Sequence, residues 1–270
     1  MAATQRPLAL VTGASAGIGV AFAHDLAARG YDLVLTARRV ERMQALAAEL
    51  SARHGATCTV IGADLDQPGA PEQLVADLGQ RGLAVEMLVN NAGYGVPGYL
   101  CDPAWPVHRD FLQIMVTAPV HLAWLLLPGM LERGRGHVIN VASVAGLIPG
   151  SAGHTLYAAS KAFLIKFSQS LALEYQGRGV RTCAVCPGFT WSEFHDVNGS
   201  RPLMAKMPRW IWLQPDRVAR EGVDAVLSGK VVQVSGLHYK AIHLLTKLLP
   251  ERMLLRMTAR RSASFRVQGK

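Results

Sequence analysis

Short apolar runs, most of them rich in β-branched residues, punctuate the chain at residues 8–12, 32–37, 57–62, 86–90, 137–142, 180–186 and 230–234. Each is near-continuous rather than alternating, the pattern of a strand buried on both faces. Between them apolar positions recur at helical spacing over residues 18–29, 40–54, 71–80, from about 108 to 132, around 154–177 and over 216–227. The alternation of strand and helix leaves no linker, and a chain of 270 residues that is 50% hydrophobic can bury one sizeable core, so residues 1–270 are expected to form a single domain. The uncharged run 114–131 is as long as a membrane span. Pro119, His121, Pro128 and Gly129 interrupt it, and the alternation asks for a buried helix there.

The pattern changes at about Gly236. Ile242, Leu244, Leu245, Leu248, Leu249, Leu254, Leu255 and Met257 interleave with Lys247, Arg252 and Arg256, which predicts two short basic amphipathic helices broken at Pro250. The net charge of +9 is concentrated there: residues 240–270 carry eight basic side chains against one acid, Glu251. The rest of the chain is close to neutral, so the charge describes an extension at 236–270 and not a nucleic-acid-binding domain, and the apolar half of the extension argues against nucleic acid as its partner. Such helices suit an anionic membrane surface, or the substrate lid or a second subunit with their basic faces in water. Four cysteines do not make a disulfide framework, and the polar start of the chain has no signal-peptide pattern, which together point to the cytoplasm. Cys183 and Cys186 spell C-x-x-C within a strand, where positions three apart face opposite ways, so no metal or redox pair is expected. Cys58 and Cys101 read as ordinary packing and loop residues.

The chemistry is concentrated between Ser143 and Lys161. Ser143 follows the strand at 137–142, and Tyr157 and Lys161 lie four apart on one helix face. A phenol titrates near ~10, and an adjacent ammonium lowers that value. Tyr157 is therefore the candidate acid/base toward a carbonyl or alcohol oxygen, Lys161 the charge that tunes it, and Ser143 a hydrogen-bond partner of the same oxygen. Near the N-terminus the strand 8–12 leads into Gly13-Ala-Ser-Ala-Gly17-Ile-Gly19 and then a helix. Such a turn lets backbone approach a pyrophosphate whose charge suits the helix N-terminus. With the spacing G-x-x-x-G-x-G, Thr12 in front, and Ser143, Tyr157 and Lys161 behind, the chain resembles the short-chain dehydrogenase/reductase family over residues 8 to about 235.

The resemblance implies a Rossmann-type α/β fold: an open, doubly wound, mainly parallel sheet of about seven strands with the site at their C-terminal ends. It implies a nicotinamide cofactor held by Thr12, Gly13, Ser15, Gly17, Ile18 and Gly19, with Asp64 and Leu65 at the adenine. Asn90, Ala92 and Gly93 belong to an unchanged Asn-Asn-Ala-Gly, whose first asparagine also steadies the sheet. Pro187, Gly188, Thr190 and Ser192 stand in the family's P-G-x-x-x-T, with serine last, near the nicotinamide amide, and Tyr157 and Lys161 reach the ribose. Past the second strand, Arg38 and Arg39 replace the acid that would bind the ribose of NAD, so NADP(H) is expected rather than NAD(H). Ala16 lacks the second basic residue often found before the middle glycine. The expected reaction is ketone or aldehyde to alcohol, and reverse, in a homodimer or homotetramer joined through the helices at about 108–132 and 154–177.

The sequence departs from the family at Met115, which aligns with an asparagine that holds a water between the catalytic lysine and solvent. A thioether accepts weakly and donates nothing. Either a backbone carbonyl and water complete the relay, or the enzyme is slower, or the chain binds NADP without useful turnover as a sensor or scaffold. The segment 191–213 occupies the substrate lid and gathers Trp191, Phe194, Met204, Met207, Trp210, Ile211, Trp212 and Leu213. They suit either an apolar or bulky substrate or the packing of the lid itself. His195 there reads as a second acid/base, or as a surface or substrate-contact residue.

Overall fold

In the computed structural model, which describes residues 6–153, 155–193 and 208–262, seven parallel strands form one sheet in the order β3-β2-β1-β4-β5-β6-β7. They are β1 Leu8–Thr12, β2 Asp32–Ala37, β3 Cys58–Gly62, β4 Val85–Asn90, β5 Gly136–Val141, β6 Val180–Cys186 and β7 Val232–Val234. The order reverses between β1 and β4, so the loops leaving those two strands diverge and open a crevice at their C-terminal ends. The sequence placed all seven strands, with ends differing by at most two residues. The helices α1 Gly17–Ala28, α2 Val40–His54 and α3 Ala70–Gln80 also follow expectation.

Both sheet faces are covered. Phe22 and Leu26 of α1 pack on one, and Phe111, Ile114, Met115, Leu122 and Met130 on the other. The long helix on that second face begins at Trp105, earlier than expected, because Pro106 lies in its first turn, where a missing N–H leaves no bond unmade. It runs as α4 Trp105–Leu112, widens into a π turn over Gln113–Thr117 in which the Ala118 N–H bonds the Gln113 carbonyl, and continues as α5 Ala118–Glu132. Pro119 explains the widening. It has no N–H to give the carbonyl of Met115, four residues back, and its ring crowds that carbonyl. Residues Trp105–Glu132 together are long and apolar enough to cross a membrane, but here their apolar face is spent on the sheet.

A ladder of buried polar side chains runs beneath the crevice. Asn90 and Asn140 stand opposite one another on β4 and β5. Asn90 Nδ2 donates to Asn140 Oδ1 at 2.9 Å and to the Pro119 carbonyl at 3.2 Å. Asn140 Nδ2 donates in turn to Ser168 Oγ at 2.9 Å, and Ser168 donates to the Leu164 carbonyl. Ser168 belongs to α6 Thr155–Glu174, so the ladder ties two central strands to the helices on that face. Pairing offsets part of the cost of burying amides this deep, although Asn90 Oδ1 has no partner among the described residues.

After α7 Pro215–Leu227 and β7, the extension forms α8 Leu237–Leu248 and α9 Glu251–Ser262, separated at Pro250 as expected. Tyr239 is the buried residue of α8. Leu237, Leu244 and Leu248 are exposed, as are Met253, Leu255 and Met257 in α9. The expected contact with the lid is therefore made by the first turn of α8 and not by the apolar faces of the two helices. Phe194, His195, Met204 and Met207 lie outside the described residues.

Removing the middle of the ladder leaves a donor on Asn90 and the Ser168 hydroxyl short of a partner, so Asn140→Ala should cost about 2–3 kcal/mol in denaturant unfolding. Ser168→Ala should cost less in that background than in the wild type, and strict additivity in the double-mutant cycle would show the ladder is not a unit.

Candidate active site

The crevice is shaped first by glycines. Gly13 has φ +66°, and a Cβ there would lie 2.9 Å from the Ala92 Cα; Gly17 has φ +54° and faces the Ser192 side chain. A Cβ on Gly19 would overlap the Gly13 carbonyl, so the turn can sit this low between β1 and α1 only with glycine at all three positions. The N-cap of α1 is Ala16, with no side chain on the first N–H groups. A low, glycine-lined turn opening on an uncapped helix end fits the diphosphate of a dinucleotide. Thr12 anchors it: its hydroxyl donates to the Val89 carbonyl and accepts from the N–H groups of Asn91 and Ala92 at 2.9 and 3.0 Å. Asn91 Nδ2 returns bonds to the carbonyls of Thr12 and Gly13. Ile18 is half-buried against the core. Asn91 was not among the expected residues, although it is the second residue of Asn-Asn-Ala-Gly.

On the side where the adenosine is expected, Leu65 is buried. Asp64 accepts from the Asp66 N–H at 3.3 Å, ending a turn and not capping α3, which begins six residues later. Arg38 is exposed and 3.6 Å from Asp66. Arg39 bends over the glycine turn, Nε 3.2 Å from Ser15 Oγ, and its Nη1 pairs with Glu193 at 2.8 Å.

At the reacting end, Ser143, Tyr157 and Lys161 come together as the spacing requires. Ser143 caps the one-turn helix Val144–Gly146, accepting from the Ala145 N–H at 3.1 Å, and hydrogen-bonds the Tyr157 phenol. Gly146 fixes their distance: a Cβ there would come within 2.6 Å of the Lys161 and Ala162 backbone, so only glycine lets this turn press against α6. Lys161 Nζ is buried and donates to the Val141 carbonyl at the end of β5, 2.7 Å away, lying 5.7 Å from the Tyr157 ring centre. Burial lowers the ammonium to about 8 and raises the phenol to about 12, the bond from Ser143 acting against the latter rise. The expectation that Lys161 brings the phenol down does not hold for the chain by itself, where burial raises the phenol and the opposing influence is the Ser143 bond.

Met115 is buried in the π turn, and its sulfur occupies the space a side chain at Gly93 would need. The loop after β6 is built around Tyr239. A Cβ on Gly188 would fall inside the Tyr239 ring, while the Tyr239 hydroxyl accepts from the Phe189 N–H and donates to the Ile211 carbonyl, both at 2.9 Å. Pro187 takes the Val144 N–H on its carbonyl. Thr190, buried, pairs with Leu213, and Trp191 stacks on Trp212 at 4.3 Å. Trp212 is buried between Phe189, which packs on the core, and Trp191, which is partly exposed, while Trp210 is largely exposed. Tyr239 and Gly146 had no sequence signal, since each acts on a partner far along the chain. Cys183 and Cys186 are both buried, their thiols pushed up to about 12 by burial.

A model of the short chain dehydrogenase family matches residues 7–201. An NADP-dependent 3-hydroxy acid dehydrogenase of Salmonella typhi is 35% identical over 195 residues, 70% of this chain and 75% of the relative. Among solved structures, a short-chain dehydrogenase from Sphingobium yanoikuyae in complex with NADPH superposes with TM-score 0.81 at 29% identity, covering 98% of both chains. A bulky-bulky ketone specific alcohol dehydrogenase from Comamonas testosteroni gives TM-score 0.76 at 29% identity over 99% of this chain and 98% of that one. With the Ser143, Tyr157 and Lys161 side chains gathered at the crevice of a parallel sheet in this order, the protein belongs to the short-chain dehydrogenase/reductase family of oxidoreductases.

Proposed function

We propose that the protein is an NADP(H)-dependent oxidoreductase that interconverts a ketone or aldehyde with an alcohol, on an apolar or bulky substrate. The observation that carries the reading is the convergence of the Ser143 hydroxyl, the Tyr157 phenol and the buried Lys161 ammonium on one side of the glycine-lined crevice. Bound nicotinamide would supply or accept the hydride. Tyr157, held protonated, gives its proton to the carbonyl oxygen in the reductive direction, and Ser143 hydrogen-bonds that oxygen. Lys161 keeps a positive charge behind the phenol and reaches the cofactor ribose. Arg38 and Arg39 favour a 2′-phosphate, consistent with the NADP dependence of the Salmonella typhi relative. The apolar-substrate part rests on a small hollow beside Tyr157 in which Val96, Leu100, Phe111 and Leu156 stand with the polar His108 and Thr155.

For Met115, the first of the three readings is favoured. Pro119 has no N–H to give the Met115 carbonyl in an α-helical bond, which favours a main-chain acceptor at this turn. The packing of Met115 against Gly93 favours the sensor or scaffold reading instead, since no side-chain donor is left there. Turnover discriminates the two. A cytoplasmic homodimer or homotetramer completes the proposal, with Trp105, Trp124, Phe163 and Leu173 exposed on the two helices expected to join subunits.

Purified protein should oxidise NADPH faster than NADH over ketones graded from small to bulky and apolar, and Tyr157→Phe should lose at least about a hundredfold in kcat/KM. NADPH binding without turnover on the panel, with activity appearing in Met115→Asn, would give the sensor reading the lead. Lys161→Met should abolish turnover yet stabilise the fold. The folded pKa of about 8 lies below the ordinary 10.5, so the burial penalty is full below pH 8 and vanishes as pH rises toward 10.5. Less the lost Val141 bond, the gain is about 2 kcal/mol at pH 7 and should shrink above pH 8 in denaturant titrations. Destabilisation at pH 7 would contradict it.

A further inference from the structure

Glu193 lies three residues past Thr190 and sits at the far rim of the crevice, away from the proton-transfer groups. Its two carboxylate oxygens are shared between two arginines: Oε2 takes Arg39 Nη1 at 2.8 Å and Oε1 takes Arg42 Nη1 at 2.6 Å. Arg39 also leans on Ser15 of the glycine turn, and Ser192, one residue before Glu193, rests on Gly17. The strand of loop from Thr190 to Glu193 thus crosses from the nicotinamide side of the crevice to its adenosine side, and ends by placing an anion on the guanidinium groups there. The two arginines hold the Glu193 carboxyl below its ordinary range.

We propose that Glu193 is a specificity-determining residue: its carboxylate occupies the arginine seat that a 2′-phosphate takes, so that a nucleotide must displace Glu193 to gain the Arg39 and Arg42 contacts. The inference rests on the NADP reading of Arg38 and Arg39. A carboxylate carries one charge and two acceptor oxygens; a phosphate monoester carries nearly two charges and three such oxygens, and guanidinium binds both in the same forked geometry. The phosphate therefore wins the exchange. A ribose with only hydroxyls has no charge to offer the arginines, and Glu193 keeps them. The internal anion therefore moderates the 2′-phosphate advantage of this surface and leaves a nucleotide with only hydroxyls at that position untouched. The pair is solvent-accessible, with 42% and 41% of the Arg39 and Glu193 side chains exposed, so the competition is modest and reversible.

The test is calorimetric binding of 2′,5′-ADP and of 5′-AMP to the full chain at fixed ionic strength, which needs no substrate and no turnover. Glu193→Gln, which keeps the shape and removes the charge, should tighten 2′,5′-ADP about fivefold and change 5′-AMP less than about twofold. Unchanged or weakened 2′,5′-ADP binding would overturn the proposal, because Glu193 would then be orienting the arginines and not competing for them. Equal tightening of both nucleotides would overturn it as well, showing a general electrostatic effect. Should E193Q not fold, Glu193→Asp draws the same charge back from both arginines and is read in the same way, with a gain of about two- to threefold. Arg39→Gln separates the two layers of the argument. If it leaves 2′,5′-ADP binding unchanged and the wild type does not prefer 2′,5′-ADP to 5′-AMP, the NADP reading itself fails. If the wild type prefers 2′,5′-ADP and loses that preference in Arg39→Gln while E193Q has no effect, only the role of Glu193 fails.

Discussion

An ammonium held out of water at the end of a parallel sheet is the constraint around which this molecule is arranged. Lys161 is buried and donates to the carbonyl that closes β5. Burial alone moves it toward neutrality, so the surrounding structure must hold the group where it would not otherwise stay. Gly146 lets the turn that carries Ser143 press on the Lys161 backbone. The Asn90–Asn140–Ser168 ladder fixes α6 against the two central strands from below. On the other side the π turn, forced by Pro119, passes Met115 beneath Gly93. These devices are spread over the chain and converge on one helix.

The sequence made most of the frame readable. A doubly wound parallel sheet buries its strands on both faces, so each strand is a compact apolar run that stands out against the helical spacing around it. The residues brought to the crevice were readable for a related reason: they follow strand ends directly, or lie four apart on one helix. What escaped was set by contacts between distant segments. Nothing near Gly146 announces that α6 will lie on it, and nothing near Gly188 announces a tyrosine ring from residue 239. The long helix, expected from about residue 108, begins at Trp105, because proline at the first turn and proline in a loop leave the same local trace. The phenol's shift escaped for a different reason: its sign depends on the balance of desolvation against the Ser143 bond, which spacing does not report.

The two ends of the crevice differ in how they are held. At the reacting end the groups are buried and tied to backbone, with glycine contacts that leave little room for adjustment. At the adenosine end the arginines stand in solvent and are engaged by acidic side chains, Asp66 for Arg38 and Glu193 for Arg39 and Arg42. Rigid positioning suits proton transfer, where small displacements are costly. Solvated ion pairs suit a site that has to admit and release a charged molecule in every cycle.

The hydroxyl of Tyr239 reaches from the first turn of α8 to the backbone on both sides of the lid base, while the match to the family ends at residue 201. The extension is therefore stitched into the loop that follows β6. The extension cannot be regarded as a detachable accessory: a graft of another relative's C-terminus would bring with it a new setting for the segment from Gly188 to Thr190. In this protein the tail and the geometry of the crevice are coupled through one side chain.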